Sequence, residues 1–213
     1  MARFLVVLDV DSTLIEDEVI ELLADAAGSR DAVAEVTLRA MNGELDFAES
    51  LRERVATLAG LPESVFAEVG RRITVTRGVP ELVDGVHRAG GKVAVVSGGF
   101  HEVIDPLAAH LGLDHWRANR LEIADGVLTG QVVPPVIDAP AKADALREWA
   151  DEHGIPLAQT LAVGDGANDL PMMALAGLSV GFDAKAPVRD VADVLLDVRD
   201  LSMLLPLMGL PRS

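Results

Sequence analysis

Eighty-four positions run from Asp9 to Lys92, and no other stretch constrains the fold of this chain more. The runs on either side, Phe4–Leu8 and Val93–Val96, are short, apolar and rich in valine, as buried strands are. A parallel crossover needs only about a dozen residues. This interval carries helical patterns at roughly Asp17–Ala27, Asp31–Met41 and Asp46–Leu58, with another after Pro62. That is too much for one connection. It predicts a small helical subdomain inserted after the first strand.

Beyond the insertion, Leu161–Val163, Leu178–Gly181 and Val194–Leu196 are further buried runs, separated by helix-length stretches. Pro80 sits early in one predicted helix and Gly90 ends it, the expected order of the two residues. Nearly continuous apolar strands alternating with helices predict an α/β fold, its mainly parallel sheet covered by helices on both faces. Leu121–Val133 departs from this pattern: Asp125-Gly126 divides two extended stretches and predicts a hairpin.

Charge and cysteine usage narrow the partners. Thirty-four acidic against 18 basic residues give a formal charge of −16, which repels nucleic acid and anionic membrane. With no cysteine the chain has no disulfide framework and no Cys-based zinc site, and it suits a reducing compartment. Phe4–Leu8 stops at Asp9, too short for a secretory signal, and no apolar stretch approaches the ~18 residues that span a bilayer. The expectation is a soluble, cytoplasmic protein with neither nucleic acid nor membrane as partner.

The segment FLVVLDVDST places Asp9 and Asp11 just past a buried strand, at the sheet edge where open α/β folds bind ligands. Two carboxylates two residues apart, with Ser12 and Thr13 behind them, suit a hard divalent cation and acid/base work. The same residues also read as a solvated turn before a helix. A calcium loop fails, because its sixth and twelfth positions hold Leu14 and Ile20 rather than glycine and glutamate. VGDGANDL follows another buried strand with Asp165, Asn168 and Asp169; Gly164 and Gly166 allow a tight turn. Alone, this too reads as a helix cap. Together the two loops gather four carboxylates at one edge, a repulsive set unless a metal neutralises it. All-oxygen donors favour magnesium over zinc.

VAVVSGGF ends a strand in Ser97-Gly98-Gly99, a hydroxyl plus unencumbered amides that suit an anion. Lys142 falls in the first turn of the predicted helix Pro140–His153, where the helix dipole disfavours a cation. It is either an ordinary solvated lysine or one with a task, such as holding a phosphate oxygen. No Walker A pattern is present. In Asp46–Leu58, Phe47, Leu51, Val55 and Leu58 share one helical face. Arg54 lies roughly 45° from the centre of that face and Arg52 well off it. Arg54 therefore either snorkels past the stripe or turns inward to meet a carboxylate. Glu18 falls on the polar side of its helical pattern. The histidines at 87, 101, 110, 115 and 153 show no metal spacing and suggest no role.

DVDST at 9–13, SGG at 97–99, Lys142 and GDGAND at 164–169, in that order, resemble the haloacid dehalogenase superfamily of phosphatases. AMNGELDFAESLRERV and ANRLEIADGVLTG resemble the phosphoserine phosphatase family within it. The resemblance covers nearly the whole chain. It implies a Rossmann-like core over 1–16 and 75–213 and a helical cap over 17–74. It further implies hydrolysis of phosphoserine through an aspartyl-phosphate, the last step of serine biosynthesis, with Asp9 as nucleophile and Asp11 as general acid and base. By the same matching, Asp9, the Asp11 backbone carbonyl and Asp165 bind magnesium, and Asp169 reaches it through water. Ser97, Gly98, Gly99 and Lys142 hold the phosphate, and Asn168 supports the bound group. Glu18 receives the substrate ammonium and Arg54 its carboxylate, while Met41 and Phe47 line the pocket. Monomer or homodimer is expected.

Three rival readings share some of these features. A receiver-type phosphoacceptor domain also gathers acids, a hydroxyl and a lysine around magnesium, but its lysine comes late and it has no place for the 84-position interval. A phosphotransferase would pass the phosphoryl group from Asp9 to an alcohol such as homoserine instead of water. A phosphatase for another small phosphomonoester would keep the chemistry and change the pocket.

Overall fold

The computed structural model describes residues 2–41 and 44–212. Among them, seven strands form one sheet: β1 (Leu5–Leu8), β2 (Lys92–Phe100), β3 (His115–Ala124), β4 (Val127–Val133), β5 (Thr160–Gly164), β6 (Leu178–Phe182) and β7 (Val194–Leu196). Their spatial order is β4-β3-β2-β1-β5-β6-β7, and only the β3–β4 pair is antiparallel. β1 pairs with both β2 and β5, with Leu8 opposite Val95 on one side and Val163 on the other. The order reverses beside β1, which opens a crevice at the carboxyl ends of these strands.

Among the described residues, four helices, α1 (Val19–Ala27), α2 (Arg30–Met41), α3 (Phe47–Ala56) and α4 (Val65–Arg72), lie in the long interval. A reciprocal cap starts α3: Asp46 accepts from the Glu49 amide at 2.8 Å, and the Glu49 carboxylate accepts from the Asp46 amide at 3.0 Å. The chain leaves and rejoins the sheet through a two-stranded neck. There Ile15 bridges Val75, Glu16 N–H donates to Thr74 O at 2.9 Å, and Thr76 N–H donates to Leu14 O at 3.0 Å. The α3–α4 connection also docks on the hairpin. Gly60 N–H donates to Leu128 O and Leu128 N–H to Leu61 O, both at 2.8 Å.

The remaining helices, α5 (Val79–Arg88), α6 (His101–Leu111), α7 (Ala139–His153), α8 (Leu170–Leu175), α9 (Ala186–Arg189) and α10 (Leu204–Leu207), cover the sheet on two faces. Alternate residues of a strand point to opposite faces. Val6 and Leu8 of β1 pack in one core with Leu82, Ile104 and Leu204, whereas Leu5 and Val7 pack in another with Leu146, Trp149, Met172 and Val188. Both faces of β1 are dry, which is why its sequence is continuously apolar.

The hairpin turn lies at Asp125-Gly126, both with positive φ (51° and 76°), as a tight two-residue connection requires. Its first strand is longer than the predicted stretch. β3 begins at His115 and also pairs in parallel with β2. The added segment, HWRANR, mixes polar and apolar residues and carries no buried-strand signal. β2 likewise continues beyond Val96 through the glycines to Phe100, with a register irregularity on the way.

Candidate active site

Asp9 follows β1 directly and caps the turn Val10–Leu14. Its Oδ1 accepts from the Val10 amide at 2.7 Å and from Lys142 Nζ at 2.8 Å, leaving Oδ2 without a donor among the described residues. Ser12 in this turn holds φ = 58°, a costly backbone for a residue other than glycine. Three contacts hold it there. Its amide donates to Asp17 O at 3.2 Å, its carbonyl accepts from Arg199 at 3.2 Å, and its Oγ donates to Glu18 Oε1 at 2.8 Å. The strained turn aims Asp11 at the crevice, where Oδ1 accepts from the Val19 amide (2.8 Å) and Oδ2 from Ser97 Oγ (3.2 Å).

Lys142, in the first turn of α7, is 1% exposed, which excludes the ordinary solvated lysine. Its ammonium joins Asp9 Oδ1 and, at 2.7 Å, Asp169 Oδ1. Burial alone would lower its pKa, but the two carboxylates outweigh that and hold it above its ordinary value. Asp169 Oδ2 accepts the Asp165 and Gly166 amides, each at 3.2 Å. Burial drives the Asp9 carboxyl well above its usual range, and the nearby Asp169 adds to this; Lys142 opposes it. Asp11 is also raised, again chiefly by burial.

Gly99 N–H donates to Ser97 Oγ at 2.8 Å, and Gly98 O accepts from Asn119 Nδ2 at 2.8 Å. These glycines are needed for space. A Cβ on Gly98 would stand 3.0 Å from the Phe47 ring, and one on Gly99 would stand 3.1 Å from Asp11 Oδ2. Asn119 is buried and accepts from the Ile137 amide at 2.8 Å, so it ties the SGG segment to the approach of α7.

The cavity has an acidic floor of Asp9, Asp11 and Asp165, with Gly98, Gly99 and Asn168 beside it. Ile20, Phe47 and Leu51 make an apolar wall, and Glu18, Arg54 and Lys185 the ionisable remainder. The polar-side reading of Glu18 needs correction. It precedes α1 rather than lying within it, so helical spacing does not govern its direction, and it is half-buried in the cavity wall. Burial first, then Asp11, pushes its pKa from 4.5 up to about 7. Arg54 Nε donates to Ser50 O at 3.2 Å, and the guanidinium has no carboxylate partner within salt-bridge distance among the described residues. Burial lowers its pKa, partly offset by Glu18 and Asp11. The side chain of Met41 lies outside the described residues.

Lys185, which follows β6, belongs to no sequence motif. Its Nζ lies 2.9 Å from Asp165 Oδ2. Carboxylate oxygens of Asp9, Asp165 and Asp169 lie within 4.8 Å of one another, a donor set of hard oxygens suited to a divalent cation.

A haloacid dehalogenase-like hydrolase profile matches residues 6–174. The chain is 52% identical over 197 residues to a phosphoserine phosphatase of Streptococcus thermophilus, with 92% of each chain covered. It is 51% identical over 209 residues to phosphoserine phosphatase SerB2 of Mycobacterium tuberculosis, of whose length it spans about half (51%; 98% of this chain). Among solved structures, a phospho-aspartyl intermediate analogue of phosphoserine phosphatase superposes with a TM-score of 0.91 at 41% identity, covering 97% of this chain and 99% of that one. The matched profile spans the acidic loops, the SGG segment and Lys142, and the chain belongs to the haloacid dehalogenase-like hydrolase family.

Proposed function

We propose that this chain is a magnesium-dependent phosphoserine phosphatase that cleaves O-phospho-L-serine to serine and inorganic phosphate. One observation carries the reading. Arg54, with no acidic partner among the described residues, and Glu18 share the cavity with Asp9 and Asp11. A phosphomonoester that is also a zwitterion meets all three demands: phosphoryl group on the floor, carboxylate at Arg54, ammonium at Glu18. Phe47 and Leu51 exclude water around them. The named activities of the Streptococcus and Mycobacterium relatives support the same substrate.

In the first step Asp9 Oδ2 attacks phosphorus, and Asp11 gives its proton to the departing serine oxygen. In the second, Asp11 takes a proton from water as that water attacks the aspartyl-phosphate, which releases phosphate and regenerates Asp9. The raised pKa of Asp11 suits an acid that must begin protonated. Lys142 pins Asp9 Oδ1 so that the other oxygen faces the substrate, and it offsets phosphoryl charge together with Ser97 and the glycine amides. Asp9, the Asp11 carbonyl and Asp165 would hold magnesium, with Asp169 acting through water, its own oxygens already engaged. When bound, the ion supplies positive charge that keeps Asp9 ionised and eases charge on the transferring group.

Residues 17–74 act as a cap over a core of 1–16 and 75–213, working as a monomer or homodimer in the cytoplasm. No helix among the described residues is long and apolar enough to cross a membrane. A phosphate-release screen of small phosphomonoesters with magnesium tests the proposal. Phosphoserine should be turned over faster than phosphoethanolamine, which lacks the carboxylate; equal rates would overturn it.

A further inference from the structure

Histidines without spacing in the sequence come together in space. His115 begins β3 and His153 ends α7, yet their Nε2 atoms stand 2.6 Å apart across 38 positions of chain. Ligand atoms of His115, His153 and Glu152 all lie within 4.8 Å of one another. Trp149, one turn back on α7, stacks on the His115 ring at 5.5 Å and 19°, which fixes the plane of that imidazole. The neighbouring acids are engaged elsewhere. Glu148 pairs with Arg117 at 2.8 Å, and Asp114 accepts from Lys92 at 2.6 Å and contacts His87 at 2.8 Å. Glu152 has no salt-bridge partner among the described residues and remains available as a ligand.

We propose that His115, His153 and Glu152 form a second metal site, of the zinc class, with water completing a tetrahedron. Two nitrogens and one carboxylate oxygen are a borderline set that suits zinc, unlike the all-oxygen floor of the active site. Without metal, one Nε2 must donate to the other; with metal that ring takes its other tautomer, giving up the Nε2 proton to solvent and gaining one at Nδ1, so that both Nε2 lone pairs face the cation. Zinc–nitrogen bonds of about 2.0–2.1 Å place two ligands roughly 3.3 Å apart, so the rings open by less than 1 Å. The helix dipole helps as well, because the last turn of α7 favours positive charge.

The site lies at the start of β3 and the end of α7, whereas the active site uses strand carboxyl ends and the first turn of α7. Its effect is therefore structural: the metal would clamp one end of the helix that carries Lys142 at the other. Binding to the folded chain alone stabilises it by mass action.

Cobalt, a spectroscopic substitute for zinc, distinguishes the two sites. Tetrahedral cobalt absorbs strongly in the visible and octahedral cobalt weakly. Titrating cobalt into the magnesium-loaded full chain should produce intense visible bands that saturate near one equivalent and are bleached by zinc. His153→Ala should remove the bands while leaving magnesium-dependent turnover intact. Glu152→Gln, a mild change on an exposed side chain, should weaken cobalt binding without altering the circular dichroism. Zinc should raise the Tm of the unaltered chain more than that of His153→Ala. Weak octahedral bands only, or intense bands that persist in a folded His153→Ala, would overturn the site.

Discussion

Lys185 Nζ and Asp165 Oδ2 form an ion pair of 2.9 Å inside the cavity, so a carboxylate proposed to hold magnesium already carries a tethered cation. Any divalent ion must compete with that ammonium. Burial works against the charged lysine, but Asp165 and Glu18 raise its pKa overall, so it stays protonated through the neutral range. The lysine side chain is largely exposed, and such pairs contribute about 0.2–1 kcal/mol. Lys185→Met should therefore tighten magnesium binding by up to about fivefold, as read by calorimetry without substrate. Unchanged or weaker binding would mean that the pair does not compete with the ion.

Asp9→Asn should abolish phosphate release while leaving the fold intact, because an amide is not a nucleophile toward phosphorus. Lys142 would still hold Asp169. Circular dichroism together with a phosphate assay checks this; substantial turnover without deamidation would remove the covalent route.

Arg54→Ala should lower kcat/KM for phosphoserine by about 100-fold, or ~2.7 kcal/mol, the scale of a lost charge-assisted contact in a secluded site. Turnover of phosphoethanolamine should change little. Arg52→Ala is the control, since that side chain is exposed. If Arg54→Ala leaves the preference between the two substrates intact, the arginine only supports the insertion.

Glu18 predicts a pH effect on the metal-free chain. Its pKa rises from 4.5 to about 7 on folding, so the folded state keeps a proton that the unfolded state has lost. Stability from this group is complete below about pH 4.5, declines as pH rises toward 7, and is flat above. Denaturation midpoints measured with chelator should fall across that window, and Glu18→Gln should flatten the fall. Identical slopes in the two proteins would refute the assignment.

Gly164 has no room for a side chain: a Cβ there would stand 2.3 Å from Asp169 Oδ2. Asp169 is fully buried and cannot swing out to solvent. Gly164→Ala should cost about 1–3 kcal/mol in urea unfolding and weaken magnesium binding, because the shifted Asp169 loses its hold on Lys142. A variant as stable as the parent would show that the loop yields without cost.

The sheet was legible in the sequence because its central strands are buried on both faces, and continuous apolar runs record that directly. β3 was only half legible, since its first residues alternate with polar ones. Lys142 stood out through a local conflict, a cation in a helix's first turn, and Arg54 through helical spacing against an apolar stripe. Both lie in the cavity region that the acidic loops define. Glu18 is not legible by spacing because it precedes its helix instead of lying within it, and a period of 3.6 says nothing about a residue in extended backbone. Lys185, Asn119 and the His115–His153 pair left no local trace. Each acts across the sheet, where topology and not spacing decides which side chains meet.

The neck at Ile15 and Val75 has a consequence for how this architecture can vary. Both ends of the insertion meet within one backbone bridge, so the sheet experiences everything between them as a closed two-stranded stub. A segment of different length or helix count grafted between those positions would leave the register of β1 with β2 and β5 untouched. It would need to offer the hairpin a partner for the Leu128 amide and carbonyl, and to keep the contacts that Asp17, Glu18 and Val19 make with Ser12 and Asp11. The insertion is thus exchangeable only beyond Val19, because its first residues belong to the scaffold that holds Asp11 and Ser12.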